Sequence, residues 1–263
     1  MRRTKIRFDP EHLPKSLRRF IDAADVYDSS CSDDAKVYYI DRDGGCFLKI
    51  APEGSLETEA AMTAYFHSLG LSAEVLSYCT AGEKDYLITR RIKGEDCLDP
   101  LYLADPKRLC DTTATLLRQL HETDAADCPI RDRIETYTAN VCRGFDGKHY
   151  EPELFQGLWE FSSFEEALKV AEDGLRALRA DTLIHGDYCL PNILLSDWRL
   201  AGFIDLGSSG ISDRHIDILW GIWTLKYNLG TTALTDRFLD AYGRDRIDIE
   251  KLRLIAAMEM IGS

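Results

Sequence analysis

Strand-like and helix-like patterns alternate along the first part of the chain. Residues 36–50, KVYYIDRDGGCFLKI, contain two strand-like stretches joined through the turn-rich DRDGG, and AEVLSYC and DYLITRRI flank a second turn, TAGEK. Between them, SLETEAAMTAYFHSLG carries apolar residues at helical spacing, with Ser55 as its predicted N-cap and Gly70 as its end. This pattern predicts two hairpins and one helix, an α+β arrangement.

The pattern becomes helical after KGEDCLDP. DPKRLCDTTATLLRQLHE begins with an Asp cap and Pro106, and SSFEEALKVAEDGLRAL opens with a capping box of Ser163 and Glu166. Helical periodicity continues in SDRHIDILWGIWTL, TDRFLDAYG and IDIEKLRLIAAMEM. We therefore predict a small mostly-β N-terminal lobe, residues 1–92, and a larger mostly-helical C-terminal lobe, residues 93–263.

Composition narrows the class of protein. Of 263 residues, 45% are hydrophobic and 29% are charged, which is typical of a globular domain and excludes a disordered chain. No apolar run approaches the ~18 residues of a membrane span, and no apolar stretch follows the basic N-terminus, so we expect a cytoplasmic protein without a membrane partner. The eight cysteines form no CxxC pair and are expected to be free thiols.

The net charge of −13 argues against a nucleic-acid partner, because nucleic-acid-binding proteins carry basic surfaces. An acidic chain suits a cationic small-molecule substrate, but solubility explains the acidity better, because many soluble proteins are acidic for that reason alone. We expect a monomer or a weak homodimer.

The segment HGDYCLPN, residues 185–192, is the strongest chemical signal in the chain. It lies between two apolar stretches, and NILL and LAGFID after it can form a hairpin that brings Asn192 close to Asp205. Two such oxygen ligands suit Mg²⁺, and Asp187 would remain free to accept the proton of an attacking hydroxyl. Taken alone, a residue such as Asp187 or Asn192 more often makes only turn hydrogen bonds, but the three residues together, at this spacing between strands, favour phosphoryl transfer.

HGDYCLPN followed by GFIDLG resembles the signature of the aminoglycoside phosphotransferases, and ISDRHID after it is most similar to the 3′-phosphotransferase branch. The likeness extends over nearly the whole chain and implies a bilobal, protein-kinase-like fold. It also implies an ATP-dependent kinase that phosphorylates the 3′-hydroxyl of an aminoglycoside and confers resistance. Asp187 would be the catalytic base, Asn192 and Asp205 would bind Mg²⁺, and His185 and Asp217 would hold the catalytic loop.

The same resemblance assigns the nucleotide site to the small lobe. Lys49 would contact the α and β phosphates, with Glu59 as its ion-pair partner and Glu57 as the rival. The remaining nucleotide contacts would be the adenine-stacking Phe47, the phosphate-capping Ser30 and Ser32, and a hinge at residues 89–92 that includes Arg90 and Ile92.

Acceptor recognition by carboxylates is the expectation for a cationic antibiotic. The candidates are Glu151, Glu153 and Glu160 in YEPELFQGLWEF, and Glu259 near the chain end, which we expect on a partly exposed surface together with the terminal carboxylate. The chain departs from the family pattern at Ser208, where arginine is usual, and at Met258, where an acid usually precedes Glu259.

Three other functions share part of this pattern. A kinase for choline, homoserine or a sugar has a similar loop, so the acceptor stays open. A nucleotide-binding pseudokinase would not need Lys49, Asp187, Asn192 and Asp205 together. A metal hydrolase built on HGD would need further histidine ligands, and His215 is the one candidate.

Overall fold

The computed structural model describes residues 3–31 and 35–262. The chain forms two compact units. The first contains the chain up to Asp96 together with residues 194–196 and 200–207, and the second contains residues 97–193, 197–199 and the chain from Ser208 onward. In the described part of the chain, no helix is both long and apolar enough to cross a membrane.

An antiparallel sheet forms most of the first unit. Its spatial order is β1-β2-β3-β4-β6-β5, so the two predicted hairpins are confirmed as β3–β4 and β5–β6. The strands are β1 (Thr4–Ile6), β2 (Asp25–Asp28), β3 (Lys36–Asp41), β4 (Cys46–Pro52), β5 (Val75–Ala81) and β6 (Lys84–Arg90). Phe47 and Lys49 are two residues apart on β4, so their side chains lie on the same face of the sheet.

The predicted helix of the first unit is α2 (Glu57–Ser68), but its N-cap is Leu56 and not Ser55. The Ser55 hydroxyl donates instead to the Pro52 carbonyl. Asp85, which is fully buried on β6, accepts a hydrogen bond from the Leu56 N–H at 3.0 Å. A carboxylate distant in sequence thus satisfies the start of this helix, and no local pattern reports such a partner.

The N-terminal segment adds structure that the sequence pattern did not predict. Besides β1 and β2 it contains α1 (Lys15–Ile21), whose Leu17 and Ile21 are buried. They join a core cluster with Ile40 and Leu48 of the central strands. The apolar face of the sheet is covered in this way by a short helix from its own lobe.

Helices dominate the second unit. They are α3 (Pro100–Leu103), α4 (Pro106–His121), α5 (Arg133–Gly147), α6 (Phe164–Ala177), α7 (Arg214–Leu229), α8 (Thr235–Tyr242) and α9 (Ile249–Gly262). Asp105 caps α4 as predicted, by accepting the Arg108 N–H at 3.1 Å. Ser163 caps α6 through the Glu166 N–H at 3.2 Å, but the Glu166 carboxylate bonds Ser162, so only half of the predicted capping box forms. Neither α3 nor α5 was predicted.

Short strands lie before and between these helices along the chain. The pair β8 (Thr182–Ile184) and β11 (Gly210–Ser212) is antiparallel, and β9 (Ile193–Ser196) lies between β10 (Arg199–Phe203) and β7 (Glu95–Asp96). The predicted hairpin β9–β10 is therefore present. The HGDYCLPN loop leaves β8 and ends in a 3₁₀ turn, Leu190–Asn192, directly before β9.

Candidate active site

A buried carboxylate on α7 holds the HGD loop in place. Asp217 is fully buried, and its two oxygens accept the backbone N–H groups of His185 and Gly186, both at 2.7 Å. His121 Nε2 lies 3.1 Å from the same carboxylate. The buried His185 in turn accepts the Asp187 N–H through Nδ1 at 3.3 Å. These contacts confirm that Asp217 supports the loop, and they fix the backbone on which Asp187 stands.

Glycine is required in the middle of this motif. Gly186 has a φ of +83°, and a Cβ at this position would lie 1.9 Å from the Ser208 carbonyl oxygen. Both the left-handed backbone and the close approach exclude a side chain. The loop therefore packs directly against the residue that follows the DLG sequence.

Asp187 and Asn192 are joined by hydrogen bonds at the two ends of the loop. The Asn192 amide nitrogen donates to Asp187 Oδ2 at 2.8 Å and to the Asp187 carbonyl at 3.0 Å. Asn192 is buried and Asp187 is half-buried. The amide nitrogen thus fixes the orientation of the Asp187 carboxylate, and the amide oxygen of Asn192 is left as the group that can bind a cation.

Three charged side chains converge in the first unit. Lys49 Nζ lies 2.8 Å from Glu59 Oε2 and 2.8 Å from Asp205 Oδ1. The predicted ion pair of Lys49 is thus with Glu59, which is buried, whereas Glu57 is exposed. Burial by itself would lower the pKa of Lys49, but the charges of Asp205 and Glu59 reverse the effect, and its pKa is raised. The ammonium therefore stays charged at neutral pH, as a phosphate contact requires.

Asp205 has an uncommon backbone conformation. Its φ is +57°, in the left-handed region that is sparsely populated by residues other than glycine. Half of its side chain is exposed, although one oxygen is paired with Lys49. Backbone strain of this kind clusters at functional positions.

A cavity of about 240 Å³ lies within the second unit, and Asp187 lines it. Glu259 of α9 lines it as well, beside Tyr137 of α5 and Trp220 of α7. The expectation of a partly exposed Glu259 is wrong, because the side chain is buried, with 8% of its surface exposed. Helices α5 and α7 enclose it. The terminal carboxylate expected near it lies outside the described residues.

Burial raises the pKa of Glu259 to about 7. The polar groups of Tyr137 and Trp220 beside it oppose this rise, and the negative charge of Asp187 adds to it. The cavity therefore contains two carboxyl groups. Glu259 is largely ionised only above a pH of about 7, and Asp187 is the candidate base.

The other acceptor candidates are surface residues outside the lining of this cavity. Glu151, Glu153 and Glu160 are all exposed and do not belong to its lining. Glu151 is paired with His149 at 3.1 Å, and Glu160 accepts the Gly157 N–H at 3.2 Å. The contacts of Glu151 and Glu160 are thus with residues of the same surface segment.

The nucleotide candidates occupy varied settings in the first unit. Phe47 is half-buried, with its ring centroid 5.3 Å from that of Tyr39. The Ser30 hydroxyl accepts the Val37 N–H at 3.0 Å, and the Ser30 N–H donates to Asp28. Ser32 lies outside the described residues.

The hinge candidates lie at the end of β6 and just beyond it. The Arg90 N–H donates to the Glu74 carbonyl at 2.9 Å, and the Arg90 side chain pairs with the Glu74 carboxylate. Ile92 packs near Gly202, where an added Cβ would lie 2.7 Å from its Cδ1.

Sequence reasoning missed one wall of the cavity. Arg133, Tyr137 and Asn140 all line it from α5. Their spacing of four and three residues places them on one face of a helix, and that spacing is the signal that was available.

The histidine required by a metal hydrolase is engaged elsewhere, because His215 Nδ1 contacts Asp213 at 2.6 Å and Nε2 accepts the Asp248 N–H.

Comparison with known proteins gives consistent matches. Residues 29–255 match the family model described as phosphotransferase enzyme family. A Lactococcus lactis protein named "Probable aminoglycoside 3'-phosphotransferase" is 45% identical over 258 residues, which cover 98% of each chain.

Two solved structures share the fold. A crystal structure of an aminoglycoside-3′-phosphotransferase of type VIII has a TM-score of 0.71 and 22% identity, and the match covers 94% of this chain and 97% of that one. An aminoglycoside phosphotransferase from Streptomyces rimosus, in complex with ADP and streptomycin, has a TM-score of 0.65 and 22% identity, covering 87% and 90% of the two chains. At this identity the likeness establishes the fold, and it confirms the predicted α+β, protein-kinase-like class.

Proposed function

Because the chain belongs to the phosphotransferase enzyme family, we propose that it transfers the γ-phosphoryl group of ATP to a hydroxyl of an aminoglycoside antibiotic, with the 3′-hydroxyl favoured, and so confers resistance. The observation that carries this proposal is the rigid placement of Asp187 at the wall of a cavity that also contains a buried carboxylate. The 45% identical relative bears the name of such an enzyme, which supports the choice of acceptor.

Asp187 is the catalytic base in this proposal. The acceptor hydroxyl lies against its carboxylate, the oxygen of that hydroxyl forms a bond to the γ-phosphorus, and the bond to the β–γ bridging oxygen breaks. The hydroxyl proton passes to Asp187, and ADP leaves. Since the Asn192 amide and the Asp217-bound loop hold Asp187 in one orientation, catalysis rests mostly on positioning.

The nucleotide is assigned to the first unit. Lys49, kept charged by Glu59, neutralises phosphate oxygens, while Phe47 stacks on the adenine ring. Arg90 and Ile92 form the hinge, and the Arg90 carbonyl is its proposed contact because its N–H is bonded to Glu74. Ser30 and Ser32 cap the phosphates, Ser30 after release of its hydroxyl from Val37.

Asn192 and Asp205 fit a magnesium ion by their chemistry. Each offers a hard oxygen, the amide oxygen of Asn192 and the half-exposed carboxylate of Asp205. When bound, the ion neutralises charge on the phosphate oxygens. We further propose that the enzyme acts in the cytoplasm, where ATP is available, on a cationic small molecule and as a monomer or weak homodimer.

Replacement of the base tests this function. Asp187→Asn should abolish ADP release with kanamycin while ATP affinity changes by less than about threefold, because the base contacts the acceptor and not the nucleotide. Asp197→Asn is the matched control, since Asp197 is exposed at the β9–β10 turn with a φ of +50° that asparagine tolerates. Retained turnover in Asp187→Asn would remove Asp187 from the role of base.

The acceptor is tested with a panel of substrates. Kanamycin should be phosphorylated, whereas tobramycin, which lacks the 3′-hydroxyl, should not be phosphorylated at that position. Turnover with choline, homoserine or a simple sugar alone would contradict the aminoglycoside assignment and leave a different small-molecule kinase. ATP binding without turnover on any acceptor would indicate a pseudokinase.

A further inference from the structure

A half-buried arginine lines the cavity that contains Asp187 and Glu259. Arg133 is the first residue of α5, and it is the cationic residue among those that line the cavity. Across residues 3–31 and 35–262, no carboxylate forms an ion pair with its guanidinium. Burial lowers the pKa of Arg133, and only the exposed neighbour Asp132 opposes this effect. A cation partly removed from water without a partner is costly unless a ligand supplies the opposite charge.

The stem of Arg133 is held by the strand beside it. A Cβ at Gly210 of β11 would lie 3.0 Å from the Arg133 Cβ and 2.9 Å from the Ile130 carbonyl oxygen. The Ile211 N–H donates to that same carbonyl at 2.9 Å. Backbone packing therefore fixes where the Arg133 side chain begins, at the wall of the cavity that Asp187 also lines.

The charge of Arg133 does not suit the acceptor of the proposed reaction. A polycationic aminoglycoside would be repelled by a guanidinium in its own cavity, since like charges placed together across an interface are unfavourable. The reaction, however, adds a phosphate group to a hydroxyl that lies against Asp187. Arginine, with its planar set of N–H donors, is the side chain best matched to phosphate oxygens.

We infer that Arg133 binds the phosphate group of the phosphorylated acceptor, so that the cavity contains a phosphate-monoester site beside the catalytic base. This inference rests on the proposed function. Arg133 contacts the group after transfer and so favours the product over the unphosphorylated acceptor. Loss of this one charge should therefore weaken product affinity without weakening acceptor affinity.

Three variants test the site. Arg133→Gln removes the charge, and Arg133→Lys keeps the charge but loses the planar set of donors. The control Arg176→Gln removes an exposed arginine of α6 in the same unit. Each protein is titrated by calorimetry, without nucleotide, with kanamycin and with kanamycin phosphate purified from the enzyme's own reaction. The KM for ATP is measured separately.

The expected result is a split between the two ligands. In Arg133→Gln, affinity for kanamycin phosphate should fall on the order of tenfold, as for the loss of one hydrogen-bonded charge. Affinity for kanamycin should stay within about twofold or improve, because a repelling charge has gone. Arg133→Lys should lie between Arg133→Gln and the unaltered protein, and Arg176→Gln should match the unaltered protein.

Other results would overturn the inference. Equal weakening of both ligands would mean that Arg133 holds the acceptor scaffold or only the fold, and no change in either would mean that it binds neither. A raised KM for ATP with unchanged product affinity would assign Arg133 to the phosphates of the nucleotide. If Arg133→Gln does not fold, Arg133→Lys decides, since equal weakening of both ligands there contradicts the site. Failure of the unaltered protein to phosphorylate any acceptor would instead refute the proposed function.

Discussion

Glu259 links the electrostatics of the cavity to the pH dependence of folding. Its carboxyl is buried beside Tyr137 and Trp220, and burial raises its pKa to about 7 from an ordinary 4.5. Between these two pH values the folded protein retains a proton on Glu259 that the unfolded chain has released. The free energy of unfolding should therefore fall as pH rises from about 4.5 to about 7, and this contribution should be constant above that window.

The size of the effect follows from the shift. Each unit of pKa corresponds to about 1.4 kcal/mol, so ionised Glu259 should lower the free energy of unfolding by roughly 3 kcal/mol above pH 8. Glu259→Gln replaces the carboxyl with a neutral group of the same shape. The variant should match the unaltered protein near pH 4.5 and exceed its stability by roughly that amount at pH 8.

Urea unfolding followed by tryptophan fluorescence at several pH values between 4.5 and 8.5 measures this difference. Glu250→Gln is the control, because Glu250 lies on the same helix and is exposed. In Asp187→Asn, the free energy of unfolding should stop falling at a lower pH than in the unaltered protein, since the Asp187 charge contributes to the raised pKa of Glu259. Parallel stability curves for Glu259→Gln and the unaltered protein from pH 4.5 to 8 would refute the burial argument.

Two further predictions concern the loop and the thiols. Gly186→Ala should reduce turnover at least about a hundredfold and destabilise the protein by about 1–3 kcal/mol in urea, because its φ is +83° and its Cβ would meet the Ser208 carbonyl; unaltered activity would show that the loop moves freely. The exposed Cys31 and Cys142 should react rapidly with Ellman's reagent at pH 8. The buried Cys46 and Cys110, whose pKa values burial raises to about 11 and about 12, should react only on unfolding, and eight thiols should then be counted.

The secondary-structure elements with strong local sequence patterns are the ones that could be predicted. The hairpins β3–β4 and β5–β6 were found because apolar stretches flank obvious turns, and α4 because Asp105 and Pro106 mark its start. The sequence pattern does not predict helix α5, because its TYTANVC stretch is rich in residues of low helix propensity. Its stability comes from tertiary packing, as at Gly144, where an added Cβ would lie 1.9 Å from the Ile261 carbonyl of α9.

The candidate site likewise contains residues that the sequence indicates and residues that only the fold brings together. Asp187 and Asn192 could be singled out from sequence because they share one short loop. The cavity itself could not be predicted, because its walls come from α5, α7 and α9, and nothing in the sequence indicates that these helices meet. Glu259 was identified as a candidate, but its burial depends on Tyr137 and Trp220 from two other helices.

The net charge of the protein and the charges inside the cavity act differently on a cationic substrate. A net charge of −13 favours the approach of cations over long distances, an effect that salt screens. Inside the cavity, however, Arg133 offsets Asp187, and Glu259, with a pKa of about 7, carries only part of a charge at neutral pH. An ammonium group thus gains little from the total charge of the cavity. Selection among acceptors there must depend on hydrogen bonds to hydroxyl, amide and carboxyl groups, whose geometry the surrounding helices fix.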